Sequence, residues 1–348
     1  MPDPTDTAPA APANGPNAPA PVRILVVKLS SLGDLFHALP AVHHLKTQLP
    51  ARIDWVVQEE YVEVVRCFRD VDRVIAFPRR SFPGGAPAFL RELRREEYDH
   101  VIDFQGLLKS ALVARLARGK TRLGPSFHRE CSRLFYSAVA GPLDKCRHAV
   151  EENMDAARYF GLRLGEFNFP VSFPRQPLGQ PGPRIGILPL SRWATKNWPV
   201  ESFAAAAAAL QRRLNASIFL LGGPESVAAC ARIEKSLPNP AVNKAGALSL
   251  VETGSLLAEL QLLIANDTGP MHMAAALGVP VLAIFGATDP SRTGPFGRGH
   301  RTLAAGLPCQ PCLSRQCRYG DIRCLRAVSP EVVADVAAGM LGRRGEGN

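Results

Sequence analysis

The stretch 260–285 restricts the fold more than any other part of this chain. An apolar run over 260–265 leads into the polar turn Asp267-Thr268-Gly269, a helix rich in small residues follows, and a second apolar run starts at Val279. The order of strand, turn, helix and strand is typical of an α/β unit with parallel strands. In open sheets of this kind ligands bind at the carboxyl ends of the strands, where the turn is expected.

The turn also predicts an anion-binding site. Backbone N–H groups at the start of the helix favour a phosphate group, and Gly269 would let the backbone approach a ligand closely. His272 lies one helical turn past Asp267 and is either a buried residue at the helix start or a contact to phosphate or sugar. The alternative for the turn is that Asp267 and Thr268 only cap the helix.

The same alternation of apolar strands and helices runs through both halves of the chain, whose 348 residues suit two domains. In the first half, strands are predicted at 23–28, 53–57, 74–77, 100–104 and 121–124. The pattern restarts after the Pro-rich stretch 170–183, with strands at 184–188, 217–221, near 242 and at 260–265. We therefore predict an α/β protein with two doubly wound, Rossmann-like domains that face a cleft, over residues 22–176 and 184–348.

Charge and motifs narrow the class of protein. The formal net charge of +10 favours anionic partners, but the basic residues are dispersed and no nucleic-acid-binding module is recognisable, so nucleic acid is not expected. The first strand–helix turn, Leu29–Asp34, contains one glycine, which argues against the dinucleotide fingerprint of dehydrogenases. No G-x-S-x-G elbow of a covalent hydrolase is present either.

The N-terminal residues predict where the protein works. Residues 1–21 are rich in Ala and Pro and lack the basic and apolar regions of a signal peptide, so we expect a disordered tail and a cytoplasmic protein. No apolar run approaches the ~20 residues that span a bilayer, and no transmembrane segment is predicted.

Two charged side chains are candidates for chemistry between the predicted domains. Asp34 follows the first strand and could take a proton from an attacking hydroxyl, or it could be only a helix cap. Lys196 follows the strand at 184–188 and could neutralise a diphosphate leaving group. The alternative for Lys196 is a solvated loop residue.

Two further patterns raise the question of metal binding. Asp70-Val71-Asp72 resembles a divalent-cation motif, but flanking arginines would repel the cation, and we expect no metal there. Cys309, Cys312, Cys317 and Cys324 lie in a Cys-rich loop, 309–324. They either hold a structural zinc ion or form a reduced, locally packed loop, and neither alternative is catalytic.

Four ordered segments resemble a known family. They are Val27–Pro40, Asp54–Glu59, Tyr98–Ser110 and Asp267–His272, and they are similar to the lipopolysaccharide heptosyltransferases of glycosyltransferase family 9. The N-terminal segments are most similar to the heptosyltransferase I branch. The resemblance covers the chain from about Arg23 to its end.

This resemblance implies a GT-B fold, with the acceptor on the first domain and ADP-heptose on the second. It implies metal-independent, inverting transfer of heptose to the Kdo region of the lipid A inner core, without a cofactor, at the inner membrane face. By match to the family motifs, Asp34 is the general base and Ser31 and Gly33 lie on the acceptor side. The donor site comprises Lys196, Asp267, Thr268, Gly269 and His272, with Glu225 as an approximate match to the ribose-binding carboxylate.

Arginines of the first half are candidates for holding the anionic acceptor. Arg91, Arg94 and Arg95 share a face if one helix carries them all, and Arg79 and Arg80 lie just before that helix. They would meet phosphates and Kdo carboxylates of a lipid in the inner leaflet. The alternative is a solvated surface helix.

One departure from the family pattern and two other classes of protein leave alternatives open. The cysteine cluster is more similar to heptosyltransferase II and other members, so the sugar or the acceptor could differ. A sugar-nucleotide 2-epimerase would share the same architecture without needing a lipid acceptor. A two-lobed binding protein of the periplasmic type is disfavoured because no signal peptide is recognised.

Overall fold

Each half of the chain is built on one parallel sheet. The computed structural model describes residues 20–82, 84–144 and 146–345, so most of the predicted tail, 1–19, lies outside the described residues. The first sheet contains β1 (Val22–Val27), β2 (Ala51–Gln58), β3 (Arg73–Phe77), β4 (Tyr98–Asp103), β5 (Gly119–Pro125) and β6 (Ala138–Ala140). The second contains β7 (Arg184–Leu188), β8 (Ser217–Leu220), β9 (Val242–Asn243), β10 (Leu262–Asn266), β11 (Val281–Ile284) and β12 (Arg301–Leu303).

The two sheets have the same topology. The strand order of the first is β3-β2-β1-β4-β5-β6 and that of the second is β12-β11-β10-β7-β8-β9, which is the first order read from the other edge. Both are the doubly wound Rossmann order, whose direction reverses between the first and fourth strands. The central strands are near-continuous apolar runs because both of their faces are buried. The prediction of two Rossmann-like sheets is confirmed.

Helices connect the strands of each sheet. They are α1 (Leu32–Gln48), α2 (Val62–Val65), α3 (Ala86–Leu93), α4 (Leu108–Leu116), α5 (Ala149–Asn153), α6 (Asp155–Tyr159), α7 (Val200–Leu214), α8 (Val227–Lys235), α9 (Leu250–Ala258), α10 (Gly269–Ala276), α11 (Pro290–Thr293), α12 (Arg323–Arg326) and α13 (Pro330–Gly345). Among the described residues, no helix is both long and apolar enough to cross a membrane.

Several elements differ from what the sequence predicts. The edge strands β6 and β12 were not predicted. The sequence over 150–161 predicts one helix, but the structure has two, α5 and α6, separated at Met154, whose ψ of −15° departs from the helical value. The helix expected to carry three arginines ends at Leu93, because Arg94 has left helical geometry, with φ −99° and ψ 6°.

Helix α1 of the first half packs against α10 of the second half where the two halves meet. A Cβ atom on Gly33 of α1 would overlap the His272 ring, and one on Gly269 of α10 would lie 2.9 Å from Cβ of Leu32. These glycines therefore allow the two helices to pack closely. The same buried apolar cluster contains side chains of both halves, including Leu35 and Met271.

Candidate active site

A polar cleft of about 380 Å³ lies where the carboxyl ends of the two sheets face each other. The loops after β1, β7 and β10 reach it, next to the points where the strand order reverses in each sheet. Its lining from the first half is Ser31, Leu32, Gly33, Asp34 and His37. Its lining from the second half is Ser191, Arg192, Trp193, Lys196, Asp267, Thr268, Gly269, His272, Thr288, Thr293 and Arg315.

Asp34 presents one carboxylate oxygen to this cleft. It is the third residue of α1, and the N-cap is Ser31. Oδ2 of Asp34 accepts hydrogen bonds from the backbone N–H of Ser31 at 3.0 Å and from its hydroxyl at 2.8 Å. Oδ1 lies 3.7 Å from Nδ1 of His37, and the side chain is 46% exposed. The carboxylate therefore supports the helix start with one oxygen and leaves the other accessible to a substrate.

A nearby cation keeps Asp34 ionised. Removal from bulk water would raise the pKa of this carboxyl, but the Lys28 ammonium holds the pKa well below its usual range. Lys28 is buried at the end of β1 and donates a hydrogen bond to the Phe104 carbonyl at 2.6 Å. A carboxylate with a lowered pKa is available at neutral pH, but it is a weak proton acceptor.

Asp267 organises the opposite wall of the cleft. This buried carboxylate accepts hydrogen bonds at Oδ2 from Nζ of Lys196 and from the hydroxyl of Thr288, each at 2.7 Å. Burial would raise the pKa of Asp267, but His272 and Lys196 hold it well below its usual range. Asp267 is thus more than a helix cap, because the N-cap of α10 is Thr268.

Two histidines join the halves at the floor of the cleft. Nε2 of His37 lies 3.0 Å from Nδ1 of His272, and both rings are buried. Nε2 of His272 lies 3.8 Å from Oδ1 of Asp267. His272 is therefore both a buried residue and part of the cleft lining. Burial and the neighbouring His272 lower the pKa of His37 to about 4, so His37 is neutral at pH 7.

Two cations that the sequence analysis missed also face the cleft. The Arg315 guanidinium carbon lies 5.1 Å from the Trp193 ring centroid, and Nζ of Lys196 lies 4.7 Å from the same centroid. Arg192 extends to the first half, where it donates to the Tyr61 hydroxyl at 3.4 Å. With Lys196 engaged by Asp267, these arginines add positive charge beside the start of α10.

The cysteine loop carries Arg315 to this position. The Thr195 hydroxyl donates to the Ser314 carbonyl at 2.6 Å, and the backbone N–H of Leu313 donates to the Ala287 carbonyl at 2.8 Å. The predicted cysteines surround a separate recess of about 430 Å³, and all are free thiols: Cys309, Cys312, Cys317 and Cys324. Across the described residues no group of three or more His, Cys, Asp or Glu is arranged to hold a metal ion. Both alternatives for this loop, a structural zinc ion or a reduced, locally packed loop, therefore stay open.

The predicted donor-site residue Glu225 and the two carboxylates of the D-x-D pattern lie outside the cleft. Glu225 follows β8 at the same sheet edge but is exposed and does not line the cleft. Asp70 is paired with His43 at 2.7 Å and Asp72 with Lys46 at 2.6 Å. These carboxylates precede β3 and are already bound to side chains of α1, so the D-x-D pattern belongs to the packing of α1 against the sheet.

The arginine face predicted for the acceptor does not form. Arg91 lies on α3, but Arg94 and Arg95 follow its end, and all three are exposed. Arg94 lines a recess with Glu97 and Tyr98 at the amino-terminal edge of the first sheet, away from the cleft. By contrast, Arg79 and Arg80 follow β3 directly and lie at the carboxyl edge, where both approach Glu60.

Two Rossmann-like halves around a polar cleft are the GT-B architecture of glycosyltransferases. Comparison with known proteins also gives a glycosyltransferase and identifies the family. The model of glycosyltransferase family 9 (heptosyltransferase) matches residues 87–323. Lipopolysaccharide heptosyltransferase 1 of Pseudomonas aeruginosa is 34% identical over 316 residues, covering 86% of this chain and 88% of the relative. The chain belongs to glycosyltransferase family 9.

Solved structures agree with this assignment. The E. coli heptosyltransferase WaaC with ADP has a TM-score of 0.76 at 27% identity, covering 92% of this chain and all of WaaC. WaaC with ADP-2-deoxy-2-fluoro heptose has a TM-score of 0.72 at 25% identity, covering 91% of this chain and 99% of that protein. The predicted family, GT-B fold and transferase activity are confirmed, and the 2-epimerase alternative is not favoured.

Proposed function

We propose that this glycosyltransferase moves heptose from ADP-heptose to the Kdo region of the lipopolysaccharide inner core. The relatives named above support this, since one is a lipopolysaccharide heptosyltransferase and another, the heptosyltransferase WaaC, was solved with ADP-2-deoxy-2-fluoro heptose. One observation in the molecule carries the proposal. An ionised carboxylate with an accessible oxygen, Asp34, shares one cleft with a cation-rich turn at a helix start.

The geometry supports direct, inverting transfer. The acceptor hydroxyl gives its proton to Oδ1 of Asp34 while its oxygen attacks the anomeric carbon of the heptose, opposite the diphosphate. The bond from that carbon to the diphosphate breaks, and its electron pair stays with ADP. Lys196, Arg192 and Arg315 neutralise the developing charge. In this proposal the domain over residues 22–176 binds the acceptor and the domain over residues 184–348 binds the donor.

An assay of ADP release tests the proposal. Purified protein is incubated with ADP-heptose and Kdo2-lipid A, and separately with a heptosylated acceptor or with no acceptor. ADP release that requires Kdo2-lipid A is expected. Release only with the heptosylated acceptor would move the protein to a later step of core assembly. Isomerisation of the nucleotide sugar without any acceptor would contradict transfer.

Chelation is expected to leave activity unchanged. Side chains supply the positive charge at the diphosphate, and Asp70 and Asp72 are already paired with His43 and Lys46. The measurement is the initial rate of ADP release before and after EDTA treatment. Loss of activity restored by Mn²⁺ or Mg²⁺ would contradict this expectation. A slow loss of stability without such rescue would instead indicate zinc in the cysteine loop.

The acceptor side of the proposal uses a patch at the carboxyl edge of the first sheet. Arg79 and Arg80 lie beside exposed Phe82, which stacks on Phe77, and Nζ of Lys109 lies 5.6 Å from the Phe77 ring centroid. Basic and apolar side chains together suit an anionic lipid. We therefore propose that the enzyme works as a peripheral protein on the inner membrane face, which the net charge of +10 also favours.

Replacing both arginines of this patch should weaken acceptor binding. Each is worth ~1 kcal/mol near an anionic surface, so Arg79→Ala with Arg80→Ala should raise the acceptor KM by up to about 30-fold. The increase should shrink at high salt, with the donor KM unchanged. The matched control is the variant Arg91→Ala, Arg94→Ala, Arg95→Ala, which removes more charge away from the cleft. A raised acceptor KM in the control alone would place the acceptor on α3.

A further inference from the structure

Nδ1 of His37 lies beside the proposed base, Asp34, and has no hydrogen-bond partner among the described residues. The ring is 4% exposed, and its Nδ1 makes no hydrogen bond within the described residues. That nitrogen faces Oδ1 of Asp34 at 3.7 Å. A buried polar atom without a partner is costly, so its retention beside the proposed base needs a reason.

The second ring nitrogen of His37, Nε2, faces the donor turn of the other half. Its Nε2 lies 3.0 Å from Nδ1 of His272, and Nε2 of His272 lies 3.8 Å from Oδ1 of Asp267. Four groups thus form one line, in the order Asp34, His37, His272, Asp267. The line begins on the first half and ends on the second.

The surroundings of the two carboxylates define where the protons lie. Oδ1 of Asp267 is buried and faces His272, so it favours a proton on Nε2 of His272. Nδ1 of a neutral His272 then accepts a hydrogen bond from Nε2–H of His37. A neutral His37 consequently carries a lone pair on Nδ1, toward Asp34. Asp34 tolerates this arrangement because its side chain is 46% exposed and can be solvated.

We infer that His37 and His272 form a proton relay from Asp34 to the donor turn. The inference rests on the proposed function, in which Asp34 takes the acceptor proton. Protonated Asp34 donates to Nδ1 of His37, and the proton passes to that nitrogen. Nε2–H of His37 passes its proton to Nδ1 of His272. The net result is an ionised Asp34, a neutral His37 and an imidazolium at His272.

The relay addresses two needs of the reaction. Asp34 alone is a weak base, because its pKa is held well below the usual range, and a second acceptor draws the proton onward. The relay also delivers positive charge to His272, in the wall of the cleft where the diphosphate gains negative charge. The hydrogen bond from Asp34 to Nδ1 exists only after proton transfer begins, so it favours the transition state over the ground state.

Other charged or titratable groups face His37 from each side. Asp34 lies on its own helix, His272 lies on α10, and the His148 ring centroid is 5.6 Å away. Nε2 of His148 lies 3.1 Å from the Gly294 carbonyl. His148 is therefore hydrogen-bonded elsewhere and is not part of the line from Asp34 to Asp267. Burial and His272 both lower the pKa of His37, and Asp34 opposes them. Neutral His37 is therefore the resting form from which the relay starts.

The test uses His37→Ala and His37→Gln in the full-length protein. We expect kcat to fall by ~10²-fold, the lower end for proton-transfer groups, with the donor KM and acceptor KM unchanged. Imidazole added to His37→Ala should restore part of kcat, because the missing ring leaves space open to the cleft. His44→Gln is the matched control, since His44 is equally buried on α1 and lies off the line. It should keep wild-type kcat.

Three results would overturn the relay. Wild-type kcat in both His37 variants would remove it, and so would a loss of kcat that imidazole does not restore and that accompanies weaker ADP binding. If the variants do not fold, ¹⁵N NMR of the wild-type histidine rings decides. The relay requires a neutral His37 protonated at Nε2, and a proton on Nδ1 would contradict it. Wild-type protein inactive with ADP-heptose would instead contradict the proposed function.

Discussion

Asp34→Asn should lower kcat by ~10²–10⁴, the usual contribution of a positioned general base. The amide oxygen can still accept the two hydrogen bonds from Ser31, so the start of α1 should keep its structure. What the variant loses is the ability to hold a proton. The measurement is kcat for ADP release, together with the dissociation constant for ADP, which should not change.

A second substitution separates this role from helix capping. Asp34→Ala loses both the proton acceptor and the hydrogen bonds to Ser31, which are worth ~1 kcal/mol of helix stability. The two variants should therefore have similarly low kcat, while only Asp34→Ala should melt at a lower temperature. Wild-type turnover in Asp34→Asn would mean that the carboxylate acts only as a cap.

Lys196→Met should have the second largest effect, lowering kcat/KM for ADP-heptose by ~10²–10³. The ammonium is proposed to meet the diphosphate, and it is also the cation paired with Asp267 at 2.7 Å. Removing it leaves a buried carboxylate with the Thr288 hydroxyl but without its ammonium partner. Breaking a buried pair in this way costs ~3–5 kcal/mol, so the melting temperature should also fall.

The double variant Lys196→Met, Asp267→Asn distinguishes the two contributions. It removes the unpaired charge, so it should recover much of the lost stability while activity stays low. Lys46→Met is the matched control, because Lys46 pairs with Asp72 in a partly exposed ion pair worth at most ~1 kcal/mol. It should change neither activity nor donor binding. Recovery of activity in the double variant would show that Lys196 matters only for stability.

The long, buried parts of the fold were predictable from sequence. β1, β10 and β11 are almost entirely apolar on both faces, and a buried parallel strand reads as a continuous apolar run. β6 and β12 have three residues each and lie at sheet edges, so no run marks them. The end of α3 was missed for a related reason, since the arginines after Leu93 are good helix formers and only the backbone shows the helix has ended.

The site residues, too, were predictable where they follow buried strands and were missed where they lie on a loop. Asp34, Lys196 and Asp267 were predicted because each follows a strand, and the carboxyl ends of parallel strands meet at one edge. Arg315 was missed, since the cysteine loop reaches the cleft only through tertiary contacts with Thr195 and Ala287. His37 offered an available signal. It lies three residues after Asp34 in α1, a spacing that places both on one face of the helix.

The close contact between α1 and α10 has a consequence for recombining members of this family. Gly33 packs on His272, Gly269 packs on Leu32, and His37 pairs with His272. The contact beside the active site is thus a joint between α1 of the first half and α10 of the second, and the residues on its two sides have to fit each other. A chimera that takes its acceptor half from one enzyme and its donor half from another inherits a working active site only if both parents carry compatible residues at this joint. Donor and acceptor specificity are therefore exchangeable as modules only between enzymes that share it.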